Sequence, residues 1–207
     1  VHVSTQAVFH LMELIAKRYK IDHSKVRVIA DHVGGGFGSK ASLGVETTTA
    51  IELARAAKAP VRVAYDRHEE LSVTGYRPAA EVKIALLPSE QGELKALSLT
   101  AHADTGAATN STIAALARLI YPAEAKALSD YDVISNLPPG AAFRGPGGPP
   151  MAFAVEQAID EAALRMKADP IALRKRWDPD PNRQRLYDWA LDLDVWRRVI
   201  DMTVTGV

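Results

Sequence analysis

The sequence predicts an α+β fold in which a mixed β-sheet, containing an antiparallel hairpin, packs against helices. Three observations lead to this prediction. Apolar residues recur at helical spacing near the start of the chain and again over residues 150–167. Apolar and polar residues alternate on both sides of a Pro-Ser-Glu-Gln-Gly turn within residues 81–106, as in a β-hairpin. A third pattern, KVRVIADHV, is rich in β-branched residues and ends at a glycine-rich loop.

The first third of the chain is predicted to contain two helices and two strands. Apolar side chains three and four residues apart predict a helix over 6–19, with Thr5 as its N-cap. KVRVIADHV predicts a strand over 25–33 that ends at the glycine loop. A second helix is expected at about 43–58, and VRVAYD at 61–66 is typical of another short strand.

After the hairpin, the sequence predicts shorter elements and then its clearest helix. We expect a short helix over 111–120 and a strand at DYDVISN. A second Pro/Gly-rich loop, LPPGAAFRGPGGPP at 137–150, leads into a helix over 150–167. Asp169 followed by Pro170 then predicts the N-cap and first turn of another helix.

The last part of the chain is predicted to lie outside the main domain. DPDPNRQR at 178–185 is polar and rich in helix breakers, which is typical of a linker. A final amphipathic segment carries Val195, Trp196, Val199 and Ile200. We therefore predict one domain over 1–177, followed over 178–207 by a linker and a C-terminal helix.

Composition excludes several kinds of partner and site. Lys plus Arg and Asp plus Glu both number 25, so no net charge attracts nucleic acid or an anionic membrane. The absence of cysteine excludes thiolate metal sites and iron–sulfur clusters ligated by this chain. The six histidines lack paired spacing, so we assign no metal ligand. No apolar run approaches the roughly 18 residues of a membrane span, and no signal-peptide pattern opens the chain. We expect a cytoplasmic protein.

HVGGGFGSKASLG, residues 32–44, has several possible functions when it is considered alone. Gly36, Gly38 and Ala41 satisfy the G-x-G-x-x-A pattern of a dinucleotide site, with Asp66 at the end of the next predicted strand. Three consecutive glycines and the hairpin that follows weaken this NAD(P) interpretation. A Walker phosphate loop is excluded, because Ser39 precedes Lys40 where glycine is required. The remaining alternative is a surface loop whose glycines only permit unusual backbone angles.

The second loop, AAFRGPGGPP, favours a ligand-binding site over a simple surface loop. Each loop places one aromatic residue and one cation among small residues, Phe37 with Lys40 and Phe143 with Arg144. Successive backbone N–H groups in such loops form concave anion sites. Together the two loops indicate a large, polyanionic, heteroaromatic ligand.

GGGFGSK and AFRGPGG occur in this order and are followed by AVEQAIDEAALRM and DPIALRKR. This arrangement resembles the molybdopterin-binding large subunit of the xanthine dehydrogenase and aldehyde oxidase family, from STQ at 4–6 to about residue 177. The resemblance implies the molybdopterin-binding domain fold of the molybdenum hydroxylases. It also implies an oxidoreductase that uses a molybdenum–molybdopterin cofactor to hydroxylate an aldehyde or N-heteroaromatic substrate.

The resemblance further implies which residues contact the cofactor. Gln6 matches the family glutamine whose side-chain amide approaches an oxo ligand of molybdenum. The first loop matches the segment whose backbone N–H groups face the metal's oxygen ligands, and the second matches the segment that contacts the cofactor and frames the substrate pocket. The cofactor-binding residues implied in this way are Gln6, Gly35, Gly36, Phe37, Gly38, Ala142, Phe143 and Arg144.

Two departures from the family pattern bear on the substrate. Purine-oxidising members carry a glutamate directly after the motif lysine, where this chain has Ala41. They also carry a phenylalanine in the second loop, where this chain has Pro146. Both departures argue against xanthine, and the absence of cysteine argues against the molybdenum–copper carbon monoxide dehydrogenases. An aldehyde or another N-heteroaromatic compound remains.

The resemblance also implies that other polypeptide segments complete the enzyme. The family's catalytic base is a glutamate in a later region, so we assign no catalytic residue to these 207 residues. We expect an excised fragment that is inactive alone and needs the remainder of the large subunit. Iron–sulfur clusters and FAD on partner subunits are expected to accept the electrons taken from a small-molecule substrate.

Overall fold

The computed structural model describes residues 1–109, 111–196 and 198, and the chain divides into two compact units. Unit 1 comprises Val1–Ala79, Asp104–Thr109 and Val133–Pro146. Unit 2 comprises Ala80–Ala103, Asn110–Asp132 and Gly147–Val207. Each unit is therefore assembled from three separate stretches of sequence.

Unit 1 contains three α-helices, α1 (Val8–Tyr19), α2 (Val45–Ala57) and α3 (Arg67–Ser72), and a short 3-10 helix at His23–Lys25. The first two confirm the predicted helices. Their apolar faces contribute to a small core centred on Leu11, Ile15, Ala16 and Val26. The N-cap of α1 is Ala7, so the prediction that Thr5 caps this helix is wrong by two residues. Thr5 instead accepts the Ala7 N–H at 3.1 Å and is itself buried.

The two strands predicted in this unit are wrong. Residues 25–33 are mostly extended, but they pair only through one parallel bridge between His2 and Ile29. Residues 61–66 have no strand partner within the described part of the chain. β-Branched composition favours an extended backbone, whereas a strand also requires a neighbour of comparable length to form a ladder.

A mixed three-stranded sheet confirms the predicted fold class. Its strands are β1 (Ala79–Pro88), β2 (Leu94–Gly106) and β3 (Ala125–Ile134), in the order β1-β2-β3. β1 and β2 form the predicted hairpin. Lys95 pairs with Glu124, and the His102 ring stacks on Tyr131 at 4.9 Å between centroids. Both pairs have the same sequence separation, which only parallel strands produce, so β3 lies parallel to β2.

The core of unit 2 lies between one face of the sheet and helix α4 (Gly148–Met166). β2 contributes Leu97 and Leu99, while α4 contributes Val155 and Ile159, all almost completely buried. Alternating burial along β2 and a helical stripe along α4 place these residues at the same interface. The predicted 150–167 helix is thus confirmed.

Backbone requirements determine where α4 begins. Gly147, its N-cap, has φ +72°, and a Cβ there would lie 2.1 Å from the Thr112 carbonyl oxygen. The helix predicted over 111–120 is instead a 3-10 helix at Ala114–Leu119. Asp130 holds its start by accepting three backbone N–H groups, those of Ile113, Ala114 and Ala115.

Two Asp-Pro pairs begin the last two helices that lie wholly within the described residues. Asp169 caps α5 (Pro170–Trp177), as predicted, by accepting two N–H groups at 2.8 and 2.9 Å. Asp180 caps α6 (Pro181–Leu191) in the same way, accepting two N–H groups at 2.9 Å each. The linker expected over 178–185 is therefore wrong, because most of this segment is helical.

The buried carboxylate of Asp178 binds side chains of α6. The residue is only 1% exposed, and its carboxylate accepts hydrogen bonds from Arg183 at 2.9 Å and from the Tyr187 hydroxyl at 2.8 Å. Burial alone would raise the pKa of Asp178, but the hydrogen bonds from Arg183, the Asp180 N–H and Tyr187 hold that pKa below its ordinary value.

The final amphipathic segment is described only in part. Trp196 donates its indole N–H to the Asp169 carboxylate at 3.0 Å, and Val195 is exposed. Val199 and Ile200 lie outside the described residues. The prediction of a helix through these four positions is therefore tested only at its beginning.

We predict that Asp178→Ala lowers the free energy of unfolding at pH 7 by about 3 kcal/mol, because the variant leaves Arg183 and Tyr187 without their buried acceptor. The low folded-state pKa means that this stabilisation is complete above the unfolded pKa of about 4. It is lost as the pH falls below that value. Urea titrations at pH 7 and pH 3 measure both effects.

Asp188→Ala is the matched control, since Asp188 forms an exposed ion pair with Lys175. It should change the unfolding free energy by less than about 0.5 kcal/mol. Equal losses in the two variants would contradict the role given to Asp178.

Candidate functional site

The first glycine loop is folded tightly on itself within unit 1. Phe37 has φ +52° and Gly38 has φ +99°, so two successive residues adopt the left-handed region of backbone space. The Gly36 carbonyl accepts both the N–H of Ser39 at 3.0 Å and its hydroxyl at 2.8 Å. The Phe37 side chain is 57% exposed. This turn presents an aromatic ring to solvent instead of burying it.

Gln6 is bound to this loop by both backbone and side chain. Its N–H donates to the Lys40 carbonyl at 3.1 Å, and its Oε1 accepts the Gly38 N–H at 2.9 Å. A Cβ at Gly36 would lie 2.2 Å from the same Oε1, so glycine at this position makes room for Gln6. The amide Nε2 of Gln6 has no acceptor among the described residues and remains available as a donor.

The second glycine loop lies against the first. Arg144 donates its backbone N–H to the Phe37 carbonyl at 2.6 Å, and its guanidinium lies 4.4 Å from the centre of the Phe37 ring. A Cβ at Gly38 would lie 3.1 Å from the Ala142 carbonyl oxygen. Gly36 is therefore needed for close approach to Gln6, and Gly38 for close approach to the second loop, whatever else binds there.

Arg77 holds the second loop from another segment of unit 1. Its guanidinium donates to the carbonyls of Phe143 at 2.9 Å, Arg144 at 2.6 Å and Gly145 at 3.0 Å. It also lies 5.4 Å from the centre of the Phe143 ring. The sequence does not identify Arg77 as a site residue, because a single arginine in TGYRP carries no motif that distinguishes it from an ordinary surface residue.

The loops together expose hydrogen-bond donors and positive charge. The backbone N–H groups of residues 34–37 and of Ala142 and Phe143 have no acceptor among the described residues. Neither Arg77 nor Arg144 forms an ion pair with a described carboxylate. The same part of the chain contains no group of three or more acidic, histidine or cysteine side chains that could hold a metal ion. The free N–H groups and the two arginines make this surface suited to a large anionic ligand.

The structure brings the sequence-predicted site residues into one unit. The Gln6 side chain accepts the Gly38 N–H and lies against Gly36. Phe37, Ala142 and Arg144 join the two loops. Gly35 lies against the Phe37 ring, and Phe143 lies beside Arg77. Whether these eight residues bind a cofactor remains a prediction from their sequence pattern.

The comparisons with known proteins agree with this class of site. A family model described as the molybdopterin cofactor-binding domain matches residues 1–177. A putative xanthine dehydrogenase molybdenum-binding subunit of Escherichia coli (strain K12) is 34% identical over 84% of this chain and 24% of its own length. An aldehyde oxidoreductase molybdenum-binding subunit of the same strain is 32% identical over 82% of this chain and 24% of its own length. The chain spans from 12% to 24% of the length of such curated relatives.

A solved structure provides the corresponding comparison of folds. Quinoline 2-oxidoreductase from Pseudomonas putida 86 superimposes with a TM-score of 0.79 at 28% identity, covering 87% of this chain and 24% of that chain. With the family match over residues 1–177, this chain belongs to the molybdopterin cofactor-binding domain family of the molybdenum hydroxylases.

The alternative of an NAD(P)-binding domain is not supported. The family match does not include it, and no strand precedes the glycine loop or Asp66 in the described structure. Asp66 instead caps α3 by accepting the Glu69 N–H at 2.8 Å, within a capping box. That carboxylate serves a helix and is not presented to a ribose. Among the described helices, none combines the length and apolarity needed to cross a membrane.

We predict that Gly38→Ala lowers the free energy of unfolding by about 1–3 kcal/mol, because a side chain there is strained at φ +99° and meets the Ala142 backbone. Gly34→Ala is the control, since a Cβ at Gly34 has no atom within 4 Å. Its cost should stay within about 0.5 kcal/mol. Chemical denaturation of both variants measures the difference, and equal stabilities would contradict the close packing of the two loops.

Proposed function

We propose that this chain supplies the cofactor-facing loops of a molybdenum hydroxylase, an enzyme that oxidatively hydroxylates an aldehyde or N-heteroaromatic compound. One observation carries the proposal: Gln6 and the two glycine loops lie together in unit 1 with their remaining hydrogen-bond donors unpaired. Residues 1–177, over which the family matches, are assigned to cofactor binding. Residues 178–191 are assigned a packing role around Asp178.

The residues present fit an anionic pterin cofactor. The donors are backbone N–H groups, one side-chain amide and two guanidinium groups. A ligand rich in oxygen and phosphate acceptors can be bound by such a surface, because charge-assisted hydrogen bonds each contribute about 1.5–3 kcal/mol. The exposed rings of Phe37 and Phe143 offer apolar edges to a heterocycle.

Each part of the loops has a separate task in this proposal. The Gly38 N–H fixes Oε1 of Gln6, so that Nε2 is the amide atom left to donate to an oxygen ligand of the cofactor. The N–H groups of Gly35, Gly36 and Phe37 add donors whose positions are set before any ligand binds. The bound molybdenum centre would supply the redox and oxygen-transfer chemistry, while these donors stabilise negative charge that develops during the reaction.

The residues in and beside the loops favour a substrate other than a purine. Ala41 offers no carboxylate to bind a purine nitrogen, and Pro146 offers no aromatic ring to stack on the purine. Relatives are named for hypoxanthine and xanthine as well as for aldehyde and quinoline oxidation, so the preference rests on Ala41 and Pro146. Aldehydes and non-purine N-heteroaromatics are therefore the proposed substrates.

Other components complete the proposed enzyme. The remainder of the large subunit would provide the catalytic base, and partner subunits would carry iron–sulfur clusters and FAD. The absence of cysteine requires the clusters to be ligated outside this chain. The proposal includes a cytoplasmic location and no nucleic-acid or membrane partner, and fractionation of cells that express the complete enzyme tests the location.

We predict that Gln6→Glu in the complete enzyme lowers kcat about 100-fold, the usual loss when one preorganised donor is removed. The carboxylate can still accept the Gly38 N–H, so the loop keeps its shape while the Nε2 donor is lost. Molybdenum content and unfolding free energy should stay near those of the parent enzyme. Steady-state kinetics and metal analysis measure these quantities.

Gln157→Glu provides the control for Gln6→Glu, since Gln157 is exposed on α4. It should leave kcat unchanged. Full activity of Gln6→Glu would contradict the role given to Gln6. A parent enzyme without molybdenum would refute the proposed function itself.

We also predict that kcat/KM for an aromatic aldehyde or quinoline exceeds that for xanthine by at least about 100-fold, equivalent to about 2.7 kcal/mol. The reason is that Ala41 and Pro146 provide no polar or stacking contact specific for a purine. Oxidation rates of the three substrates, measured on one preparation, test the ranking. Xanthine as the best substrate would overturn it.

A further inference from the structure

Arg77 makes an unusual set of contacts for a partly exposed arginine. Its three hydrogen bonds all go to backbone carbonyls, and these belong to three consecutive residues, Phe143, Arg144 and Gly145. A planar guanidinium with several donors in fixed directions suits such a row of acceptors. Because no carboxylate partner is present among the described residues, Arg77 holds the loop without neutralising its own charge.

The segment around Arg77 supports the same loop through its backbone. Ala141 donates its N–H to the Tyr76 carbonyl at 3.0 Å, and Tyr76 and Gly140 form a parallel bridge. A Cβ at Gly75 would lie 2.1 Å from the Ala141 side chain, so the two segments are in close contact. Gly75 to Arg77 therefore follow the second loop from Gly140 to Gly145.

The contacts of Arg77 determine which groups of the loop stay free. With the carbonyls of residues 143–145 engaged by Arg77, the N–H groups of Ala142 and Phe143 remain unpaired. The N–H of Arg144 is directed to the Phe37 carbonyl. A change in the orientation of these peptide groups would alter both the free donors and the contact between the loops.

We propose that Arg77 is a positioning residue that orients the second loop, and through Arg144 the first, for binding an anionic cofactor. The inference rests on the proposed function for the identity of the ligand. The positioning itself concerns only residues of unit 1. The decisive feature is the planar guanidinium, whose donors point in fixed directions, whereas a lysine ammonium is a compact charge on a flexible stem.

The experiment compares Arg77→Lys and Arg77→Met with the parent sequence in the complete protein. Arg55→Met is the matched control, because Arg55 also belongs to unit 1 and lies over a ring, that of Tyr19 at 5.5 Å, without holding a loop. Hydrogen exchange is followed in peptides covering residues 34–40, 141–146 and 45–57. Molybdenum per polypeptide and the thermal midpoint are measured on the same samples.

We expect both Arg77 variants to exchange the Arg144 amide at least tenfold faster, with faster exchange also in residues 34–40. Exchange in α2, residues 45–57, should stay unchanged, which separates loop positioning from loss of the whole fold. Molybdenum content should fall at least fivefold in both variants. Arg55→Met should match the parent sequence in all of these measurements.

Three results would overturn the inference. The first is unchanged exchange over 141–146 in Arg77→Met. The second is full rescue by Arg77→Lys, which would mean that charge alone suffices. The third is equal acceleration in α2, which would mean a general structural role. A parent protein without molybdenum would contradict the proposed function. Faster loop exchange in both Arg77 variants would still support positioning by Arg77.

Discussion

The hydrogen bond from the Arg144 amide to the Phe37 carbonyl, at 2.6 Å, joins two loops that lie far apart in the sequence. Most features of the candidate site depend on that contact. It requires Gly38, because a larger residue would meet the backbone of Ala142. It also leaves the Phe37 ring in contact with the Arg144 guanidinium. The donors for a ligand are thus ordered by contacts between the loops themselves.

Much of the fold was predictable because its signals are local. The stripe of α4, the hairpin turn and the Asp169 cap each depend on neighbouring residues, and all three are confirmed. The strand predicted over 25–33 is wrong because a strand depends on a distant partner, which propensity cannot reveal. The linker expected at 178–185 is wrong because Asp180 and Pro181 start α6, as Asp169 and Pro170 start α5, and do not break a helix.

The candidate site was predictable only to the extent that its residues belong to a motif. Gly36, Phe37 and Arg144 stand out because two glycine-rich segments occur in a family order, and the structure brings them together. Arg77 could not be identified in this way. Its function depends on which carbonyls it reaches after folding, and no spacing rule encodes three acceptors in another segment of the chain.

The interleaving of the two units has a consequence for how the protein is made. Unit 1 begins with Val1 but is completed only by residues up to Pro146, after the strands of unit 2 have been synthesised. On the ribosome, the first glycine loop emerges without the segment that Arg77 and Phe37 hold. A chain that stalls between Thr109 and Val133 would contain Gln6, the first glycine loop and Arg77, yet lack the second loop that Phe37 and Arg77 contact. Assembly of this surface therefore requires synthesis as far as Pro146, and a ligand that needs both loops must wait for it.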